Sequence, residues 1–241
     1  MLIVPFAVGA LATGPSWRHL PLLFAWLAGY FAFFAAGLWL RSRGKRRYWP
    51  PVPAYGVLTV VLGLVVIAVE PDVLHWAVVF LPLLAFSLWF SWRRLDRSLL
   101  NDGVTVLAAC LMTVVAAGSG ERVGQWGAPS LAGLAWLPGA DQSRTWVLAG
   151  LLLAYFAGTV LYVKTMIRDR GDVGRYRLSV TYHVAVCVPA VIVRPWLGVL
   201  FAAFAVRAAV VPKRWPGLGA ATLGVGEIVA SLTLATTLLL A

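Results

Sequence analysis

Two short stretches of this chain set carboxylates beside guanidinium groups at spacings suited to holding a phosphate. In LDRSLLNDGVT, Arg97, Asn101 and Asp102 lie immediately before an apolar run. Two roles are open to them. Asn101 or Asp102 caps the helix that follows, while Arg93, Arg94 and Arg97 anchor at the membrane interface. Alternatively, the same helix terminus and arginines hold the oxygens of a phosphate or metal-diphosphate. In YVKTMIRDRGDVGRYRLSVTYH, a helix continuing past Lys164 puts Lys164 and Arg168 four apart on one face, as it does Thr165 and Asp169. Gly171 and Gly174 would then end it. Asp169 and Asp172 could share a magnesium ion, which takes one or two carboxylates plus substrate phosphates, so Asp102, Asp169 and Asp172 are the candidate metal ligands. Arg170, Arg175 and Arg177 would neutralise a diphosphate there. The competing reading is that the aspartates balance arginines in a solvated loop.

Arg207 and Glu227 stand inside apolar runs. An ionisable group near lipid is costly and marks function when it persists. Arg207 can snorkel outward, but Glu227 in GVGEIVAS has a short stem and glycine neighbours that admit close helix approach. Pairing relieves both, so a contact between them is expected. His19, His75 and His183 do not match in depth, and haem is not expected. His183, beside Tyr182, is either an acid/base or a buried imidazole with a hydrogen-bond partner. Cys110 and Cys187 fall in apolar runs and give no disulfide framework or metal motif.

The elements that carry these residues are set by composition. The 241 residues are 61% hydrophobic and 12% charged, with a mean hydropathy of +0.86. This is a polytopic membrane protein, too apolar for a soluble domain. The net charge of +11 is split among short loops bordering apolar stretches, which argues for anionic membrane lipid as partner and against nucleic acid. A helix of about 20 apolar residues crosses the hydrocarbon core. Eight such helices are predicted, near 20–40, 54–70, 73–90, 103–118, 145–163, 180–194, 196–211 and 219–241. The opening MLIVPFAVGALATG is too short to span and reads as a first helix that has lost its beginning. The expected fold is therefore an all-α bundle of eight to nine transmembrane helices, forming one domain over 1–241.

Counting nine helices, the loops after the second, fourth, sixth and eighth hold fifteen of the twenty basic residues: Arg41, Arg43, Lys45, Arg46 and Arg47; Arg93, Arg94 and Arg97; Lys164, Arg168, Arg170, Arg175 and Arg177; Lys213 and Arg214. The positive-inside rule makes those loops cytoplasmic, with the N-terminus inside and the C-terminus outside. Trp17, Trp76, Trp126, Trp136, Trp146 and Trp196 fall at outer ends, Trp39, Trp49, Trp89, Trp92 and Trp215 at inner ends, and Trp26 in mid-helix. Pro82 and Pro189 are expected to bend helices. The connection 119–144 is long, with an apolar middle that could lie along the interface or re-enter the membrane.

Several stretches together resemble the YwiC-like family of bacterial integral membrane proteins: VPFAVG, RRYWPPVPAYG, DRSLLNDGVTVLAACLM, YFAGTVLYVKTMIRDRG with SVTYH, and RAAVVPKRWPGLG followed by GVGEIVAS. The resemblance covers essentially the whole chain and implies a bacterial cytoplasmic (inner) membrane location. Members usually carry a Gln-His-Gly-Ala-Trp leader before this first helix. A fainter likeness is to UbiA-type prenyltransferases, which have nine helices, an inside N-terminus and acidic motifs for magnesium and an isoprenoid diphosphate. NDGVT and RDRGD are similar to fragments of those motifs, though no NDxxDxxxD is present and NDGVT follows the fourth helix rather than the second.

Three functions remain. One is binding or processing of an isoprenoid or other lipid phosphate at the cytoplasmic face by Arg97, Asn101, Asp102, Lys164, Arg168, Asp169, Asp172, Arg207 and Glu227, with magnesium if the ligand is a diphosphate. The others are small-molecule transport and a non-catalytic role in membrane assembly.

Overall fold

The computed structural model describes residues 1–120 and 131–240. Glu121, Arg122, Trp126 and the rest of 121–130 within the 119–144 connection lie outside the described residues. Among the described residues there are nine α-helices and no strand: α1 Val4–Ala12, α2 His19–Arg41, α3 Pro51–Val69, α4 Ala77–Trp92, α5 Leu99–Gly118, α6 Ser143–Ile167, α7 Val173–Val193, α8 Pro195–Arg214 and α9 Ala220–Leu239. With the 3-10 turns that extend α3 and α4, eight of them form apolar helical stretches of 20 to 25 residues, long enough to cross a membrane. At 1.5 Å per residue these reach at least about 30 Å, the thickness of the hydrocarbon core. The protein is a multi-pass membrane protein.

Helix ends follow local chemistry. Pro51 and Pro195 open α3 and α8, where a missing N–H costs nothing. Ser98 caps α5 by accepting the Asn101 N–H, so the cap expected of Asn101 or Asp102 belongs to the residue three positions before Asn101. Asp172 caps α7 in the same way, accepting the Arg175 N–H at 3.0 Å. Helix α7 therefore starts at Val173, well before residue 180, and Gly174 lies within it; only Gly171, at φ 86°, ends the preceding helix. The described part of the 119–144 connection folds back on its neighbours: Pro138 O accepts the Trp76 indole N–H at 3.1 Å and Gly139 O accepts the Thr145 hydroxyl at 2.8 Å.

The chain divides into two compact units, Leu2–Ala149 and Met1 with Gly150–Ala241. In the first, the core is α5: Leu111, Met112, Val114, Val115 and Ala116 pack with Phe6 and Ala10 of α1, Leu22 of α2 and Trp76. Helix α3 is the opposite case, with Val57, Val60, Val61 and Leu64 exposed, as a lipid-facing helix requires. Lipid is as apolar as leucine, so helices associate through close packing rather than hydrophobic expulsion. Gly9 shows this. A Cβ there would strike the Thr113 carbonyl of α5. In the second unit Gly198 of α8 approaches Val191 of α7 in the same manner, and Tyr162, Met166, Ala208 and Leu223 form a buried cluster.

Several buried polar groups in the first unit are matched to partners, whereas the Thr113 hydroxyl is not. His19 donates from Nε2 to Ala116 O at 2.8 Å, leaving Nδ1 to accept the Ser16 N–H at 2.9 Å. Trp26, the mid-helix tryptophan, donates to Leu2 O at 3.1 Å. Gly9→Val is expected to destabilise the protein by about 2 kcal/mol through overpacking against the α5 backbone. Thermal unfolding in detergent, compared with Gly9→Ala as the milder change, measures it.

Candidate functional site

Arginines gather where the turns that follow α2 and α4 line one groove. Helices α2 and α4 both end with the chain folding back on itself: Gly44 N–H reaches Trp39 O and Arg43 N–H reaches Leu40 O, while Leu95 N–H reaches Phe90 O and Arg94 N–H reaches Ser91 O. Each turn needs a left-handed residue, usually glycine, and each uses arginine: Arg43 at φ 59° and Arg94 at φ 60°. A non-glycine residue there costs roughly 1 kcal/mol. Both arginines line one groove of about 710 Å3 with Trp39, Leu40, Gly44, Trp92 and Arg93. Its lining is cationic and aromatic and contains no carboxylate.

The neighbouring α4–α5 turn is built for structure. Asp96 accepts from Arg41 Nη1 at 2.6 Å, tying the end of α2 to this turn. Asn101, 6% exposed, donates to Asp96 O at 2.8 Å and accepts the Ser87 hydroxyl at 2.6 Å. Asp102 sits in the first turn of α5, where its charge favours the helix N-terminus, and Arg97 directly precedes the Ser98 cap.

The α6–α7 turn belongs to the second unit. Helix α6 does continue past Lys164, and Arg168 N–H adds one more bond to Lys164 O at 2.9 Å. Arg170 folds back to donate from Nε and Nη2 to Met166 O at 3.1 and 3.0 Å, closing the end of α6. Arg175 lies 3.6 Å from Asp169, and Asp172 is engaged as the α7 cap. Among the described residues no three His, Cys, Asp or Glu side chains group to hold a metal ion.

Deeper in the second unit lies its densest polar cluster. Arg207 of α8 and Glu227 of α9 make the expected contact, Nη1 to Oε1 at 2.7 Å, with side chains 21% and 15% exposed. The other carboxylate oxygen, Oε2, accepts the hydroxyls of Thr159 at 2.9 Å and Tyr155 at 3.1 Å. The guanidinium carbon lies 4.5 Å from the centre of the Tyr162 ring and 5.5 Å from that of Phe204. Near this level of α6, Gly158 admits His183 of α7, whose Nδ1 is 2.7 Å from Ser179 O. A carbonyl only accepts, so Nδ1 carries the proton.

The structure thus joins Arg207 to Glu227 and Asp169 to Arg175, and gives Asn101 and Asp172 structural partners. The sequence reading missed Tyr155, Thr159 and Tyr162 as partners of the buried pair. Their signal was available: positions 155, 159 and 162 share one face of α6. Arg43 and Arg94 as groove-lining residues had no signal, because arginine is not expected at a left-handed turn position.

Residues 1–117 match the family described as YwiC-like protein. The chain is 29% identical to the uncharacterized protein YwiC of Bacillus subtilis (strain 168), over 95% of this chain and 88% of that protein. It is 25% identical to an uncharacterized protein of Haemophilus influenzae (strain Rd), over 89% of this chain and 83% of that one. These matches bear out the YwiC-like resemblance. No solved structure matches.

Arg207→Ala and Glu227→Ala should each destabilise the protein by about 3 kcal/mol, because each strands a buried charge. The double variant should lose less than the sum of the two. Unfolding of all three in detergent completes the cycle, and additive losses would mean the two residues do not act as a pair.

Proposed function

We propose that this YwiC-like membrane protein binds a phosphate-bearing lipid, of the isoprenoid phosphate kind, at its arginine-rich face, which the positive-inside rule makes the cytoplasmic side of a bacterial inner membrane. The observation that carries the reading is the groove between the ends of α2 and α4. Arg43, Arg93 and Arg94 supply cationic donors there, and Trp39 and Trp92 supply the amphipathic rings suited to headgroup depth. Holding two arginines in a left-handed conformation is a strain that a charged ligand at this groove would offset.

Binding is favoured over magnesium-assisted processing. A metal site would need open carboxylates, whereas Asp172 accepts a backbone N–H and Asp169 faces Arg175. In the second unit, Lys164, Arg168 and Arg177 add positive charge at the α6–α7 turn, which supports attraction to an anionic leaflet. Transport of a small solute is the second reading, and the buried Arg207–Glu227 pair within spanning helices favours it.

Purified protein titrated with a polyprenyl monophosphate and with the corresponding neutral polyprenol tests the first reading. The phosphate should bind tighter. Arg43→Gln with Arg94→Gln should weaken it about 30-fold, from about 1 kcal/mol per arginine. Equal binding of the neutral alcohol, or no loss in the double variant, contradicts it.

A further inference from the structure

Arg207 uses only part of its hydrogen-bonding capacity on Glu227. Its Nε and Nη2 are sealed from solvent and have no hydrogen-bond partner among the described residues. These two nitrogens lie along one edge of the planar guanidinium and form a two-donor fork, the shape that meets both oxygens of a single oxyanion. An unmet donor in a dry interior is destabilising, and here two share an edge within a spanning helix. Glu227 cannot fill the fork. Its Oε2 is held by Tyr155 and Thr159, and its Oε1, which makes no hydrogen bond, sits 2.7 Å from Nη1 as an ion-pair contact and not at the Nε/Nη2 edge.

We infer that the Nε/Nη2 edge of Arg207 is a binding site for a carboxylate, and that binding is accompanied by uptake of one proton on Glu227. This rests on the geometry of the pair and not on the arginine groove. Charge balance sets the stoichiometry. The empty pair is neutral, and adding a monoanion would leave an uncompensated negative charge where charge is expensive. One proton from solvent, added to a Glu227 oxygen, restores neutrality: the ionic contact of Arg207 with Glu227 is exchanged for one with the ligand, and Glu227 becomes a neutral acid. The hydroxyls of Tyr155 and Thr159 can both donate and accept, so they accommodate either form of Glu227. A phosphate monoester, nearer to two negative charges at neutral pH, would need more protons than one carboxylate takes up. The rings of Tyr162 and Phe204 flank the guanidinium, so entry requires an aromatic side chain to move.

The titratable and charged groups around Glu227 are Tyr155 and Tyr162 of α6, His183 of α7 and Arg207 of α8. Exchanging Glu227 for glutamine separates its titration from theirs. The probes are acetate and octanoate, titrated calorimetrically into the full chain in detergent between about pH 6 and 8, where both stay ionised. Wild type should bind at least one, with Kd rising about tenfold per pH unit for one linked proton. Binding of octanoate alone marks an amphiphilic acid as the ligand, and binding of acetate a small one. Arg207→Lys keeps the charge but removes the fork, and should weaken binding at least about tenfold. Glu227→Gln should bind more tightly and with no pH dependence. Absence of binding of either probe to wild type, unchanged binding in Arg207→Lys, a Kd independent of pH in wild type, or loss of binding in a Glu227→Gln variant with wild-type helicity would each overturn the inference.

Discussion

A spanning segment has no water to fall back on, and that constraint accounts for most of what this chain does with its polar atoms. Backbone groups must bond within the segment, hence helices throughout the described residues. Side chains must find partners within the protein, and they do so in a consistent way. His19 reaches a carbonyl of α5, Trp26 a carbonyl before α1, Asn101 both a backbone oxygen and a hydroxyl, and Glu227 two hydroxyls and a guanidinium. The inventory is incomplete at the hydroxyls of Thr113 and Ser179 and at the Nε/Nη2 edge of Arg207, and of these only the last sets two charged donors side by side.

The basic residues separate into three groups under this constraint. Those at helix ends can sit in the headgroup region, where they are cheap, and several have structural duties: Arg41 holds Asp96 and Arg170 closes α6. Arg207 is different because it lies seven residues inside the end of α8 and is matched by a carboxylate on the next helix. Between these extremes stand Arg43 and Arg94, at helix ends yet in a backbone conformation that arginine does not favour. Position alone explains the first group, pairing explains Arg207, and the ligand-facing role we propose would explain the third.

Much of the fold was legible because hydropathy and charge act over twenty-residue windows, which local detail does not disturb. The eight long helices and the buried pair follow from apolar runs and from two charges isolated within them. Cap positions were less legible. Ser98, Asn101 and Asp102 are all good capping residues, and only the observed chain path decides that the hydroxyl of Ser98 meets the Asn101 N–H. Helix α7 was read as starting late because Arg175, Tyr176 and Arg177 look like loop residues, yet Asp172 nucleates the turn and those side chains lie at the helix end. The groove was not legible at all, since it depends on two Schellman-type turns meeting in space.

Charge within the second unit is held as the Arg207–Glu227 ion pair, Nη1 to Oε1 at 2.7 Å. Infrared difference spectroscopy of wild type against Glu227→Gln at neutral pH, without added carboxylate, reads the state of that side chain directly. For an ion pair, the substitution should remove an ionised carboxylate band. Removal of a protonated carboxyl band in its place would show a neutral Glu227 and contradict the ion pair.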